Sequence, residues 1–235
     1  YTTARFRTRQ GDVVSAAPES PSSIRLVLTL AIAGLISGVA IIGIYETTLP
    51  TITENKAREL REAVFKVLPG VTDMQPLVYR GGELIVSEPD KDEPVVYGGY
   101  DDGGQFVGYA MPGAGPGFQD TIAILYGYKP AEKLVVGMEV LESRETPGLG
   151  DKIYKDMDFV DEFYALSVEP EIVAVKKGTK TANNQVDAIT GATISSKAIV
   201  RIINETHAAW AGQLPAPGGE PEIETESQGG SGAAP

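Results

Sequence analysis

Two short stretches carry the residue types that could do chemistry. The first runs from Asp187 to Ser196, Asp-Ala-Ile-Thr-Gly-Ala-Thr-Ile-Ser-Ser. Four hydroxyls, on Thr190, Thr193, Ser195 and Ser196, crowd around the small pair Gly191-Ala192, just before a run with helical periodicity. A helix start leaves four amides without intrahelical acceptors and carries partial positive charge, so it attracts phosphate. A cap uses only one hydroxyl. Gly191 and Ala192 leave room for something bulky close to the backbone. A hydroxyl here could hydrogen-bond a phosphate or carry one covalently; a capped helix with spare hydroxyls is the plainer alternative.

The second stretch is Glu145-Thr146-Pro147-Gly148-Leu149-Gly150, directly after an apolar strand-like run. Pro147 fixes one φ and pushes Thr146 towards an extended conformation, while Gly148 and Gly150 permit conformations other residues avoid. The expected product is a fixed loop with exposed amides and one apolar prong, Leu149. Such a loop can lie against a planar ligand. An ordinary strand–helix connection is the alternative.

The rest of the composition narrows the chemistry. The chain has 235 residues, 20 basic and 32 acidic, for a formal charge of −12. That balance argues against a nucleic-acid partner, which needs a basic footprint. There is no Cys, so disulfides, thiolate metal sites and thiol nucleophiles are excluded. His207 is the one His, which disfavours a His-based metal site or a Ser-His-Asp triad; a lone His on a helix is usually a surface or packing residue. No catalytic residue and no metal site is expected.

The elements that must position these stretches follow from hydrophobic periodicity. Leu26 to Tyr45 is an uncharged apolar run, long enough at 1.5 Å per residue to span a hydrocarbon core of about 30 Å. It reads as an uncleaved membrane anchor over 26–45, preceded by a tail over 1–25. Arg5, Arg7, Arg9 and Arg25 lie on that short tail, which favours a cytoplasmic N-terminus and places the remainder outside. Residues 46–235 carry 16 basic and 30 acidic residues. Gly34 and Gly38 form a small-residue step on which another membrane helix could pack.

Residues 46–76 read as an amphipathic helix over 51–68, stopped by Pro69-Gly70, and a linker. Strands are expected at 77–80, 84–87, 95–100, 105–111, 120–128 and 134–142, with hairpin signals at Gly81-Gly82 and Asp101–Gly104. Gly113, Gly115 and Gly117 are expected in an open loop; a strand rather than a helix follows it, so it is not a dinucleotide fingerprint. A short helix over 157–166, a strand at 172–175 and a helix over 194–210 complete a domain at 77–212. The stretch 213–235 is rich in Pro, Gly, Glu and Ser and is expected to be a disordered acidic tail.

Taken together, these residues resemble a known family, the membrane-anchored FMN-binding subunits of bacterial respiratory complexes. These are the G subunit of the Rnf ion-translocating ferredoxin:NAD oxidoreductase and its relative, the C subunit of the Na+-translocating NADH:quinone reductase. The flavinylation pattern, Asp, two variable residues, Ser or Thr, then Gly-Ala-Thr, is complete at Asp187 to Thr193. The Glu145–Gly150 signature is complete as well, and both lie in order behind one anchor. The resemblance covers roughly residues 26–212.

The resemblance implies an α+β fold: a single N-terminal transmembrane helix, then an FMN-binding domain of mostly antiparallel sheet with flanking helices. It implies FMN joined through its phosphate to the Thr193 hydroxyl by a flavin transferase that uses Mg²⁺ and FAD. Asp187, Thr190, Gly191, Ala192 and Thr193 would form the sequence that enzyme recognises. Thr190, Ser195 and Ser196 would bind the phosphate beside Gly191 and Ala192, and Glu145, Thr146, Gly148 and Leu149 the flavin. The implied role is electron relay at the cytoplasmic (inner) membrane, single-pass, among other membrane and redox subunits and lipid. Alternatives are the quinone-reductase subunit itself and a membrane-anchored FMN-binding regulatory module; the latter class usually carries further membrane helices and cysteine-rich clusters.

Overall fold

The computed structural model describes residues 22–90 and 92–223. Arg5, Arg7 and Arg9 and the end of the acidic tail lie outside the described residues. Two units are separated, up to Thr53 and from Glu54 onward.

Helix α1 spans Ser23–Val67 and joins the anchor and the amphipathic segment in one element. Its N-terminal part is the one helix among the described residues that is long and apolar enough to cross a membrane, with a mean hydropathy of 2.5. The side chains of the apolar run are exposed, including Leu30, Leu35, Val39 and Ile42. Pro50 lies inside the helix and lacks the N–H that would bond the Glu46 carbonyl. Threonines around it bond back to the preceding turn: Thr48 Oγ1 donates to Ile44 O at 2.9 Å and Thr53 Oγ1 to Leu49 O at 3.0 Å.

The second unit is built on a seven-stranded antiparallel sheet. Its strands are β1 Asp73–Arg80, β2 Glu83–Val86, β3 Val95–Tyr100, β4 Phe106–Pro116, β5 Thr121–Lys129, β6 Leu134–Ser143 and β7 Tyr164–Ser167. Their order is β2-β1-β3-β4-β5-β6-β7. Gly81 and Gly82 both take positive φ, 67° and 97°, as a two-residue hairpin turn requires. Two short helices, α2 Lys152–Lys155 and α3 Met157–Asp161, precede β7. Strands β8 Val173–Lys176 and β9 Gln185–Ala188 form a separate parallel pair. Helix α4 spans Thr193–Trp210. The α+β architecture with a mostly antiparallel sheet agrees with the sequence expectation.

Period-2 alternation gives the sheet two buried faces. On β5, Ile122, Ile124 and Tyr126 join the larger core, which also holds Ile199, Ile202 and Ile203 of α4. Leu125 points the other way and packs with Ala110 against Ala63, Val64, Val67 and Leu68. The end of α1 is therefore part of the domain core, and β1 begins at Asp73, so the domain extends upstream of the boundary expected at 77.

Gly127 and Gly137 explain how the chain at Val67 comes so close to the sheet. A Cβ added at Gly127 would run into the Val67 carbonyl, and one at Gly137 would lie 2.8 Å from Val67 Cα. Gly127→Ala is expected to destabilise the domain by about 1–3 kcal/mol, because backbone rather than a flexible side chain must move. Gly212→Ala, with open space around its Cβ, is the near-neutral control in the same denaturant titration.

Three expectations are corrected. Residues 112–116 are not an open loop but the end of β4, paired from Pro112↔Leu125 to Pro116↔Thr121. The glycines serve close packing: a Cβ at Gly113 would lie 2.5 Å from Thr206 Oγ1, and one at Gly115 2.9 Å from Ile202 Cγ1. Helix 157–166 stops at Asp161, because β7 satisfies its backbone on β6, with Leu166 opposite Val135. Residues 213–223, expected to be disordered, make contacts: Leu214 packs on the core, and Tyr100 Oη donates to Pro221 O at 2.7 Å. Strand β9, only four residues long, had no signal of its own.

Candidate functional site

The site is assembled from loops that follow β4, β6 and β9. After β6, Glu145 turns inward and is 5% exposed. Its Oε1 accepts the amides of Phe118 and Gln119, each at 2.9 Å. Its Oε2 accepts the Ser195 hydroxyl at 2.5 Å. Burial opposes ionisation and is the largest single influence on this carboxyl. The Ser195 hydroxyl and the amides of residues 118–120 together outweigh it and hold the carboxyl below its ordinary value. One carboxylate thus ties together segments 27 and 50 residues away.

Gly150 has to be glycine here: a Cβ would lie 2.7 Å from both Cβ and Oε2 of Glu145. Gly148 takes φ +79°, in the left-handed region. Its amide donates to Asp151 Oδ1 at 2.7 Å, and Lys155 Nζ reaches Asp151 Oδ2 at 2.6 Å. The Lys155 ammonium lowers the Asp151 carboxyl pKa despite burial. With the loop pinned at both ends, Leu149 stands out, 51% exposed.

The turn from β9 into α4 is held from inside. Gly191 takes φ +87°. The buried Ser196 hydroxyl donates to Ala192 O at 2.9 Å and accepts the Ile189 amide at 3.1 Å. Ala192 occupies the N-cap and no side chain caps the helix. The hydroxyl cap expected from the sequence is therefore absent, and the first-turn amides of α4 have no side-chain acceptor. Thr193 is exposed; its hydroxyl donates only to Ile189 O, at 3.3 Å.

These loops enclose a cavity of about 320 Å³. Thr146, Leu149 and Gly150 line it from one motif; Gly191, Ala192, Thr193 and Ser195 line it from the other. Phe118 and Ile194 complete the wall and are 65% and 56% exposed. The two motifs thus share one cavity, as their chemistry requires.

Other expected site residues lie elsewhere. Glu145 sits behind the wall as a positioning residue rather than a wall residue. Ser196 is fully buried with its hydroxyl engaged, so it is turned away from any phosphate. Ser195 lines the cavity, but its hydroxyl is donated to Glu145. Thr190 is exposed and Gly148 supports the loop; neither lines the cavity. Asp187 lies on β9, its Oδ2 accepting the Gly178 amide at 2.8 Å. Phe118 and Gln119 were not singled out in the sequence. An aromatic in a Gly-Phe-Gln-Asp turn was the available signal, and only the Glu145 bonds give it meaning. Gln119 Oε1 also accepts the Thr146 hydroxyl at 2.8 Å. His207 is a packing residue: burial lowers its pKa, and its ring meets Tyr128 edge-on at 4.8 Å.

Residues 117–208 match the family described as FMN-binding domain. The chain is 32% identical over 185 residues to the G subunit of the Na+-translocating ferredoxin:NAD+ oxidoreductase complex of Acetobacterium woodii, covering 77% of this chain and 87% of that one. It is 30% identical over 184 residues to the G subunit of the ion-translocating oxidoreductase complex of Methanosarcina acetivorans, covering 77% and 91%. Among solved structures it resembles NqrC of Shewanella oneidensis, with TM-score 0.55 and 21% identity over 64% of this chain and 91% of that one. The C subunit of the Na+-translocating NADH-quinone reductase of Parabacteroides distasonis gives 0.57 and 20%, over 71% and 95%. The structural likeness carries the fold, while the sequence identity over most of both chains carries the family: this chain belongs to the family of G subunits of ion-translocating oxidoreductase complexes.

Proposed function

We propose that this chain is the membrane-anchored, FMN-carrying electron-transfer subunit of an Rnf-type ion-translocating ferredoxin:NAD oxidoreductase complex, with FMN joined by a phosphoester to Thr193. The observation that carries this reading is the one cavity lined jointly by Thr146, Leu149 and Gly150 of one motif and by Gly191, Ala192, Thr193 and Ser195 of the other. Its residues fit the group. Leu149, Phe118 and Ile194 offer apolar surface to a flat ring, and the uncapped amides of α4 favour a phosphate. At about 320 Å³ the cavity lies at the low end of small-molecule sites, so part of the ligand would face outward, towards neighbouring subunits.

When bound, the flavin supplies the electron-transfer chemistry. The chain's residues position it. Thr193 Oγ1 would hold the FMN phosphate as an ester; a flavin transferase using Mg²⁺ and FAD would supply the FMN group, with AMP as the leaving group and the hydroxyl proton released. Glu145 holds the Phe118 turn and Ser195 in register across the cavity. Thr146 and Gln119 fasten the two loops to each other. Arg5, Arg7, Arg9 and Arg25 before the span favour the cytoplasmic side for the N-terminus and the outer side for the domain. Covalent attachment suits a domain outside the cell, where a dissociated cofactor would be lost.

The test is the mass of the native chain from cells that contain the transferase. An addition of about 438 Da, FMN less one water, is expected on the Thr193 peptide. The denatured chain should fluoresce as a flavin in a gel. An unmodified, colourless native chain overturns the reading.

A further inference from the structure

The acidic domain presents an unusual surface beside Thr193. Strands β8 and β9 are parallel, with Lys176 opposite Ala188, so their C-terminal ends emerge together. Neighbouring strands lie about 4.8 Å apart. β9 runs on into the Thr190–Thr193 turn, and β8 into Lys176-Lys177-Gly178-Thr179-Lys180.

This basic turn is ordered and fastened to the attachment motif. Gly178 takes φ +81°, and its amide donates to Asp187 Oδ2 at 2.8 Å. Thr179 Oγ1 closes the turn on Lys176 O at 2.7 Å. Lys180 pairs with Glu162 at 3.2 Å, and the same Glu162 oxygen accepts the Asp187 amide. Lys176 and Lys177 are exposed and make no ion pair among the described residues. Lys197 is a third exposed, unpaired lysine, one turn along α4 from Thr193. Side chains four apart share a helix face, and Cβ bonds tilt towards the N-terminus, so Lys197 leans towards Thr193.

We propose that Lys176, Lys177 and Lys197 form the docking surface for the enzyme that modifies Thr193, meeting an acidic surface around that enzyme's own site. The proposal rests on the reading of Thr193 as the modified residue. Any catalyst that reaches the Thr193 hydroxyl must cover its surroundings, and a specific interface covers about 800 Å² per partner. Lys176 pairs with Ala188, five residues before Thr193, so the lysine turn borders the surface such a footprint must cover. Residues 46–235 carry 16 basic and 30 acidic residues, so an acidic partner is repelled over most of the domain and oriented at this patch. Asp187 gains a physical role: it holds the lysine turn against the strand that leads to the acceptor.

The experiment uses unmodified full-length chain, purified flavin transferase, FAD and Mg²⁺, with flavin incorporation followed by in-gel fluorescence and mass. The variant Lys176→Glu/Lys177→Glu is expected to lower kcat/KM for the chain about tenfold or more at low salt, through KM. The difference should close near about 0.5 M salt, where exposed charges are screened. Lys176→Gln/Lys177→Gln, which leaves the turn's backbone bonds intact, should show a smaller loss in the same direction. Rates equal to wild type at every salt concentration overturn the proposal. A raised KM for FAD with an unchanged KM for the chain also overturns it, since the lysines would then contact the dinucleotide. Failure of the wild-type chain to be modified at all is read separately: it removes the Thr193 reading, before any lysine variant is compared.

Discussion

Thr193→Ala is expected to give a chain that folds and inserts normally but carries no covalent flavin. The mass addition should vanish and the fluorescent band with it, while the melting temperature of the unmodified domain stays close to that of unmodified wild type. The reasoning is structural. Thr193 is exposed and its hydroxyl makes one bond, at 3.3 Å to Ile189 O, worth at most about 1 kcal/mol in an exposed setting. Ser195 and Ser196 cannot substitute, because both are buried and their hydroxyls are committed to Glu145 and Ala192. Thr190 is exposed but lies outside the cavity wall. Thr193→Ser restores a hydroxyl at the same point and should restore attachment. Full flavin content in Thr193→Ala would move the bond elsewhere, with Thr190 the next residue to test.

The second large effect is expected at Glu145. Glu145→Ala strips the Ser195 hydroxyl and the amides of Phe118 and Gln119 of their acceptor at once. Leaving the buried Ser195 hydroxyl without its acceptor costs about 1–3 kcal/mol, and each part-buried amide, which water can reach, costs less. A net loss of about 2–4 kcal/mol is expected, on the same principle. Because Glu145 holds Phe118 and Ser195 of the cavity wall in place, the flavin environment should change too, read as altered quenching of its fluorescence. Glu145→Gln keeps one acceptor and the side-chain volume and should cost less. The two variants therefore separate the charge from the shape.

The pH dependence follows from the same carboxylate. Its folded pKa lies below its ordinary value of 4.5, so the folded state favours the ionised form. The stabilisation is fully present above that ordinary value and is lost as pH falls through the folded pKa. Denaturant midpoints of wild type should fall towards those of Glu145→Gln on acidification. A constant gap between the two at all pH values would show that the charge contributes nothing.

Much of this protein is legible in one dimension, and the reasons are local. The span at 26–45 is set by length and lack of charge. Strands β3, β5 and β6 fall where alternation and turn residues put them, because both faces of the sheet must be buried. The Asp187–Thr193 motif is a run of residue types at fixed spacing, and spacing within seven residues survives folding unchanged. What resisted the sequence was whatever depended on a distant partner. The glycines at 113 and 115 looked like loop residues because the reason for them, the α4 side chains crossing β4, lies some 90 residues downstream. Residues 164–166 looked helical because the free edge of β6 is invisible in sequence. Ser195 and Ser196 looked like phosphate ligands because residue type cannot say which way a hydroxyl points. The sequence alone determined that two stretches could hold a phosphate and a flat ring, and that an anchor precedes them. Only the tertiary structure decided that they share one cavity, through a buried carboxylate 50 residues from the serine it binds, since a contact of that range is a property of packing rather than of composition.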